Sequence, residues 1–246
     1  MPNWVSTDMV VTGPAEDIAK FKELAKSGED ILSFDNLVPM PEELKNAGSP
    51  ASIVSQEEYD AYIERRDGNK LEKGEAMCGG PITQEISDRF IKEFGANNWY
   101  DWNSQNLGTK WGFCHTELFD ESDTELRYSY ETAWGPAEEG LMRVSERFPT
   151  LLFQTYMEEE SNAFNGRQDF QAGDMVFEEL HEDILTETEL EVLDEIAEME
   201  QDEAIKRFND YEDEYGYRSV IMDAVRARMA GEEVTVPEDA VAHLRL

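Results

Sequence analysis

Cys114 and His115 stand side by side inside the stretch Asn103–Phe119, NSQNLGTKWGFCHTELF. A thiol and an imidazole form a nucleophile and its base when the ring nitrogen lies within about 3 Å of the sulfur. The run Phe113–Phe119 reads as a strand, where neighbours point to opposite faces, so one of the pair faces the core, the other faces solvent, and they cannot couple. No catalytic residue is assigned. His115, His181, His243, Cys78 and Cys114 show none of the short ligand spacings of a zinc site. Glu178 and His181, three apart, would share a helix face, but a carboxylate-bridged centre draws that unit from more than one helix. The acidic run DESDTE, 120–125, lacks the glycine and alternating oxygens of a calcium loop. Neither a metal nor a cofactor is expected.

Lys110 lies in the word Asn-Leu-Gly-Thr-Lys-Trp, 106–111, which superficially suggests a phosphate loop. It lacks the glycine-rich turn that would aim several amides at a phosphate. The favoured reading is a structural corner: Gly108 takes a turn geometry, Thr109 bonds the local backbone, and Trp102, Trp111 and Trp134 pack a sheet against its helices. The alternative is a groove of Trp102, Lys110 and Trp111 for a small molecule, nucleotide or peptide.

Charge is the strongest compositional signal. Fifty-six acidic residues face 21 basic ones, a formal net of -35 and a pI near 4.2. Such a field repels nucleic-acid phosphate and draws basic protein surfaces quickly and in a salt-dependent way. Solubility or salt adaptation would leave a similar composition, including fewer Lys than Arg. The 40% hydrophobic content, with 5 Trp, 9 Tyr and 12 Phe, supports a folded core. Two cysteines make no disulfide framework. No apolar run of about 18 residues and no basic-then-apolar start is present, so neither membrane association nor a secretory signal is expected, and the cytoplasm is the default.

These residues need a scaffold. Asn3–Gly13 reads as a strand, and residues 14–28 as a helix opened by Pro14, with Ile18, Phe21, Leu24 and Ala25 inward and Gly28 as its stop. ILSFDNLVPMPEEL reads as extended, halted by Pro39 and Pro41. Lys45–Pro81 reads as a surface insertion with a short helix, Ser55 and Glu58 forming its capping box. Thr83 caps a further helix with Ile86, Phe90, Ile91 and Phe94 inward and Gly95 at its end. FCHTELF and ELRYSYETAW form a hairpin; Pro136–Phe148 is a helix burying Leu141, Val144 and Phe148. A second hairpin runs from TLLFQTYMEEES to AFNGRQDFQAG, turning near Asn162 or Asn165-Gly166. Past Gly173 the spacing of Phe177, Leu180 and Ile184, then Leu190, Leu193 and Ile196 or Ala197, then Ile205 and Phe208 predicts helices throughout, with Thr186 and Glu189 as a capping box. A short helix, YRSVIMDAVRARMAG, and a loose tail follow. The order strand, helix, strand, strand, helix, strand, strand implies an α+β, ferredoxin-like antiparallel sheet with helices on one face. The division expected is residues 1–173, with the insertion at about 45–81, then an acidic helical extension over 174–246.

The words MPNW, TGP, NLVPMP, WNSQNLGTKW, ETAWGP, RFPTLLFQTYMEE and FNGRQDFQAG, in that order, resemble the YubB-type ferredoxin-like domain family carried by phages and plasmids, over roughly residues 1–173. Val5 replaces the Cys that usually follows MPNW, and Leu107 stands where the family's corner word has Trp. The resemblance implies the fold and a mobile-element origin and carries no catalytic residue onto the chain.

In the extension, Glu187, Glu191, Asp194 or Glu195, Glu198 and Asp202 recur every three or four residues, followed by Glu212, Asp213 and Glu214. Like charges at this spacing disfavour an isolated helix by about a few tenths of a kcal/mol per pair, so apolar packing must hold it. The functional expectation is an accessory protein whose acidic face binds a basic host protein, one that itself binds nucleic acid being favoured, in the manner of a DNA mimic acting on a defence nuclease or regulator. Alternatives are a phage structural or assembly protein, a ligand-binding protein using the tryptophan corner and, weakest, an enzyme.

Overall fold

The computed structural model describes residues 3–68, 79–159, 164–182, 187–215, 219–231 and 234, with backbone alone at residues 182, 187, 201–202, 212–215, 219–220 and 223. By packing, the chain divides into two compact units, residues 1–160 with 167–178, and residues 161–166 with 179–246.

The first unit is organised by the central strand β1, Trp4–Thr12. Its side chains alternate: Val5, Thr7, Met9 and Val11 are buried, while Ser6 and Asp8 are exposed, the two-residue period of a sheet with one covered face. β1 pairs antiparallel with β5, Glu125–Ala133, on one side and β6, Leu152–Glu159, on the other. β4, Cys114–Glu121, pairs with β5, and its register slips twice, between Cys114 and Glu117 and between Leu118 and Asp120. β7, Phe164–Gln171, and β8, Asp174–Glu182, extend the sheet to the order β4-β5-β1-β6-β7-β8. With α1, Ala15–Leu24, after β1 and α7, Glu138–Arg147, after β5, the path β1-α1-β4-β5-α7-β6 is the ferredoxin-like arrangement, of class α+β.

α1 and α7 supply Ile18, Phe21, Leu141 and Val144 to the core above the sheet. The Phe21 ring meets Tyr128, Phe148 and Phe153 edge-on at 6.3, 5.5 and 5.3 Å between centroids. Each fully buried side chain of this size contributes about 1.5–3 kcal/mol.

The segment expected to be extended after Gly28 folds instead into two single-turn helices, α2, Phe34–Leu37, and α3, Glu42–Lys45. Ser33 Oγ accepts from Asp35 N at 3.1 Å and starts the first; burial of Phe34, Leu37 and Leu44 holds both. α1 ends at Leu24, before Gly28, which sits at φ +59 in a turn closed by the Ser27–Asp30 bridge. In the insertion, α4, Gln56–Asp67, has the expected Ser55/Glu58 capping box. β2, Ile53–Val54, and β3, Ile82–Thr83, form a parallel ribbon. α5, Gln84–Phe94, is capped by Thr83, which accepts from Ile86 N at 3.2 Å, and ends in left-handed Gly95. Phe90 is buried, but Ile91, expected inward, is exposed because it lies one residue off the buried stripe. α6, Trp99–Asn106, had no strong periodic signal; Asn98 caps it by accepting from Asp101 N at 3.0 Å.

The largest correction lies past Gly173, where residues 174–182 form a strand, not a helix. Ala172 at φ 53 and Gly173 at φ 91 reverse the chain immediately after β7. The following residues are thereby delivered to the edge of β7, and pairing there overrides the helical spacing of Phe177 and Leu180. Asn165 and Gly166, one of the two turn positions expected, lie within β7. Asn162, Ile184 and Thr186 are outside the described residues, as is the tail apart from Val234.

The second unit contains α8, Glu187–Glu198, α9, Gln201–Tyr215, and α10, Ser219–Ala230. Val192, Leu193 and Ile196 of α8 pack with Ala204, Phe208 and Tyr211 of α9 and Ile221, Ala224 and Val225 of α10 in a core of their own.

Candidate functional site

α8 is held by that core and presents carboxylates on its other side. Glu191, Asp194 and Glu198 are exposed, while Val192, Leu193 and Ile196 are buried. At 1.5 Å rise per residue, the three acids fall about a turn apart along one helix. Glu195 is paired with Arg207. Glu189 is no surface acid: it is buried and accepts the Tyr211 hydroxyl at 3.1 Å. Glu187, Asp202, Glu212, Asp213 and Glu214 lie along α8 and α9, but their side chains are outside the described residues.

The tryptophan corner matches neither the favoured packing of all three indoles nor the alternative groove in full. Trp102 belongs to the core. Lys110 Nζ instead lies between two other indoles, 4.4 Å from the Trp111 ring centroid and 4.7 Å from that of Trp134. Both rings are about half exposed, at 45% and 50%, so they do not pack the sheet against its helices. Trp134 projects outward from a backbone at φ 72. Beneath them the corner is fixed by side chain to backbone bonds. Asn103 Nδ2 donates to Lys110 O at 2.7 Å, and Asn106 Nδ2 to Trp102 O at 2.8 Å. Gly108 sits at φ +76, with Pro136 O 3.1 Å from where a Cβ would stand. Thr109 Oγ1 donates to Ala133 O at 3.0 Å and accepts from Ala133 N at 3.1 Å. The corner reading therefore holds for Gly108 and Thr109, while Trp102 lies in the core and Lys110 meets Trp111 at the surface.

His115 occupies a β4 irregularity at φ 49; its Nδ1 meets Glu131 Oε2 and its side chain points to solvent. Cys114 is half-buried, and burial, then the charges of Glu131 and Asp30, push its thiol upward. That is the reverse of what an activated nucleophile needs. Glu178 and His181 lie on a strand, where an odd separation places them on opposite faces. Glu178 accepts from Gln168 Nε2 at 3.0 Å, and His181 Nε2 lies 3.7 Å from Glu179. No group of three metal-ligating side chains occurs among the described residues, and no helix among them is long and apolar enough to cross a membrane. A concavity of about 850 Å³ beside the insertion is lined by Ser49, Pro50, Tyr62, Arg65 and Gly80, among others. Glu58, on its wall, is engaged by Ser55 N and Oγ, which hold its carboxyl below the usual range.

A third surface was not anticipated, the sheet face opposite α1 and α7. Ser6, Asp8, Glu117, Tyr156 and Glu158 are exposed there. The register puts Asp8 between Ser129 and Tyr156, Ser6 between Glu131 and Glu158, and Glu117 against Ser129. Only the alternation of β1 and β6 signals it in sequence; which face stays bare is decided by where the two helices land.

Residues 113–209 match a family model described as the ferredoxin-like domain in Api92-like protein. Among solved structures, the chain is similar to the crystal structure of protein Api92 from Yersinia pseudotuberculosis, at 11% identity and a TM-score of 0.41, covering 73% of this chain and 98% of that one. No functionally curated protein matches the chain.

Proposed function

We propose that this ferredoxin-like protein is a charge-matched binding protein that engages a basic protein surface through the acidic side of α8 and α9. The observation that carries the reading is the division of α8, whose Val192, Leu193 and Ile196 are buried while Glu191, Asp194 and Glu198 face solvent. Packing fixes the helix that carries the carboxylates, so binding need not order its backbone. From residue 187 to 215 the sequence has thirteen acidic and two basic residues, so the field there is dominated by one sign. Glu187, Asp202, Glu212, Asp213 and Glu214 belong to the same proposed surface. Direct nucleic-acid binding is disfavoured by the same charge.

The finer reading is a YubB-type accessory protein of a phage or plasmid, occluding a host protein that otherwise holds nucleic acid. Its support is the ordered motif resemblance over residues 1–173 together with the net charge of -35. The test is retention of proteins from a cell extract on the immobilised wild type and on Glu191→Lys/Asp194→Lys/Glu198→Lys, at low and high salt. One basic protein retained by the wild type at low salt, released at high salt and lost on charge reversal is expected. Retention indifferent to the reversal would refute the assignment.

A further inference from the structure

We propose that the open face of the sheet is a second recognition surface and that its ligand is an arginine-rich protein segment. This extends the charge-matched reading above and rests on it for the sign of the partner. The face already shows the chemistry with one of its own residues. The Arg167 guanidinium lies 5.3 Å from the Tyr156 ring centroid and 4.9 Å from that of Phe177. Its Nε and Nη2 donate to the two oxygens of the buried Asp169 carboxylate at 2.7 and 2.6 Å. A fork of donors against a carboxylate, with ring faces alongside, suits guanidinium and not ammonium.

The other arginine of the face is also committed. Arg127 Nε donates to Glu125 Oε1 at 2.8 Å and lies 4.0 Å from Asp120. Asp8, Glu117 and Glu158, by contrast, have no cation in pairing distance among the described residues; Asp8 stands opposite Tyr156, which is 45% exposed, Glu158 lies two residues along the same strand, and Glu117 ends the cross-strand row that runs through Ser129 and Asp8. Charge complementarity therefore selects a cationic occupant. The lattice sets its form. Strands lie about 4.8 Å apart and same-face residues about 7 Å apart along each strand, which is also the spacing of alternate side chains in an extended chain. Arginines at alternate positions of an extended segment meet successive rows of the face.

The test measures anisotropy of a labelled nona-arginine peptide against the full chain at low salt. Asp8→Asn/Glu117→Gln/Glu158→Gln is compared with Glu191→Gln/Asp194→Asn/Glu198→Gln, each removing three charges. Net charge alone predicts equal weakening. The inference predicts a loss of about tenfold for the sheet variant, and tighter binding of nona-arginine than of nona-lysine, a preference that Tyr156→Leu abolishes. Unchanged tryptophan fluorescence melts for the sheet variant and unchanged helical circular dichroism melts for the helix variant establish that both fold; otherwise the single Glu117→Gln and Glu158→Gln substitutions serve. Equal losses in the two variants, or equal affinity for the two peptides, overturn the inference. If only the helix variant loses affinity, the inference falls and the α8 reading stands; if neither does, both fall.

Discussion

Thr109 ends the β4 side of the sheet with a side chain. Trp134 N donates to Asn3 O at 2.9 Å. In the antiparallel alternation, the N–H and C=O of Ala133 therefore point away from β1, toward the β4 side. The described pairing of β4 stops at Cys114, opposite Glu131, so no β4 residue reaches Ala133. The Thr109 hydroxyl fills the missing rung, satisfying both groups at 3.0 and 3.1 Å in a buried setting. Thr109→Val keeps the shape but leaves a buried donor and acceptor unpaired, at about 1–3 kcal/mol each, or roughly 2–4 kcal/mol after partial relaxation. Thr109→Ser keeps the hydroxyl and removes one methyl, about 0.8 kcal/mol. For a unit of this size, about 1 kcal/mol shifts the midpoint by about 2–4 °C, so the valine variant should melt at least 4 °C lower and the serine variant about 2–3 °C lower. All five tryptophans lie between residues 4 and 134, so their fluorescence follows the first unit alone. A valine variant as stable as the serine variant would refute the account of the corner.

Four further outcomes follow from the packing and the titrations. Tyr128 is fully buried and its hydroxyl has no partner among the described residues, so Tyr128→Phe should leave stability unchanged or raise it by up to about 1 kcal/mol in urea titration. Burial, then the charge of Glu121, push the Tyr128 phenol up to about 12. Since the folded value lies above the unfolded one, this contribution is complete below about pH 10 and is lost as pH rises toward 12, which phenolate absorbance and an alkaline melt should show together. Cys114, pushed upward by burial and neighbouring carboxylates, should react with iodoacetamide at neutral pH more slowly than a free thiol, and its rate should rise only above the ordinary thiol range. Phe208→Ala opens the three-helix core at about 3–5 kcal/mol; helical circular dichroism should register the loss.

Elements whose signals are local were legible in sequence. β1 alternates cleanly, Thr83 and Gly95 bracket α5, and Ser55 with Glu58 forms the capping box of α4. β8 was not, because Phe177 and Leu180 have helical spacing and the determinant is the edge of β7, presented by the turn at Ala172 and Gly173. α2 and α3 were hidden by Pro39 and Pro41, which mark breaks without telling extended chain from a single turn. At the candidate site, the outward position of Glu191, Asp194 and Glu198 followed from the apolar period of α8. The identity of the corner's exposed rings did not: which indole turns inward depends on the backbone at Trp134, and composition says nothing about that.

The two register slips in β4 also govern how the molecule behaves when crowded. A regular, uncharged margin invites a strand from another chain to zip onto it, and polymerisation begins there. Here kinks interrupt the ladder, and Glu117, Asp120 and Glu121 decorate what remains. Repulsion between molecules is weakest near pH 4.2, where the sequence as a whole is neutral, so concentrated solutions should cloud first on acidification and stay clear toward alkaline pH, as light scattering would record.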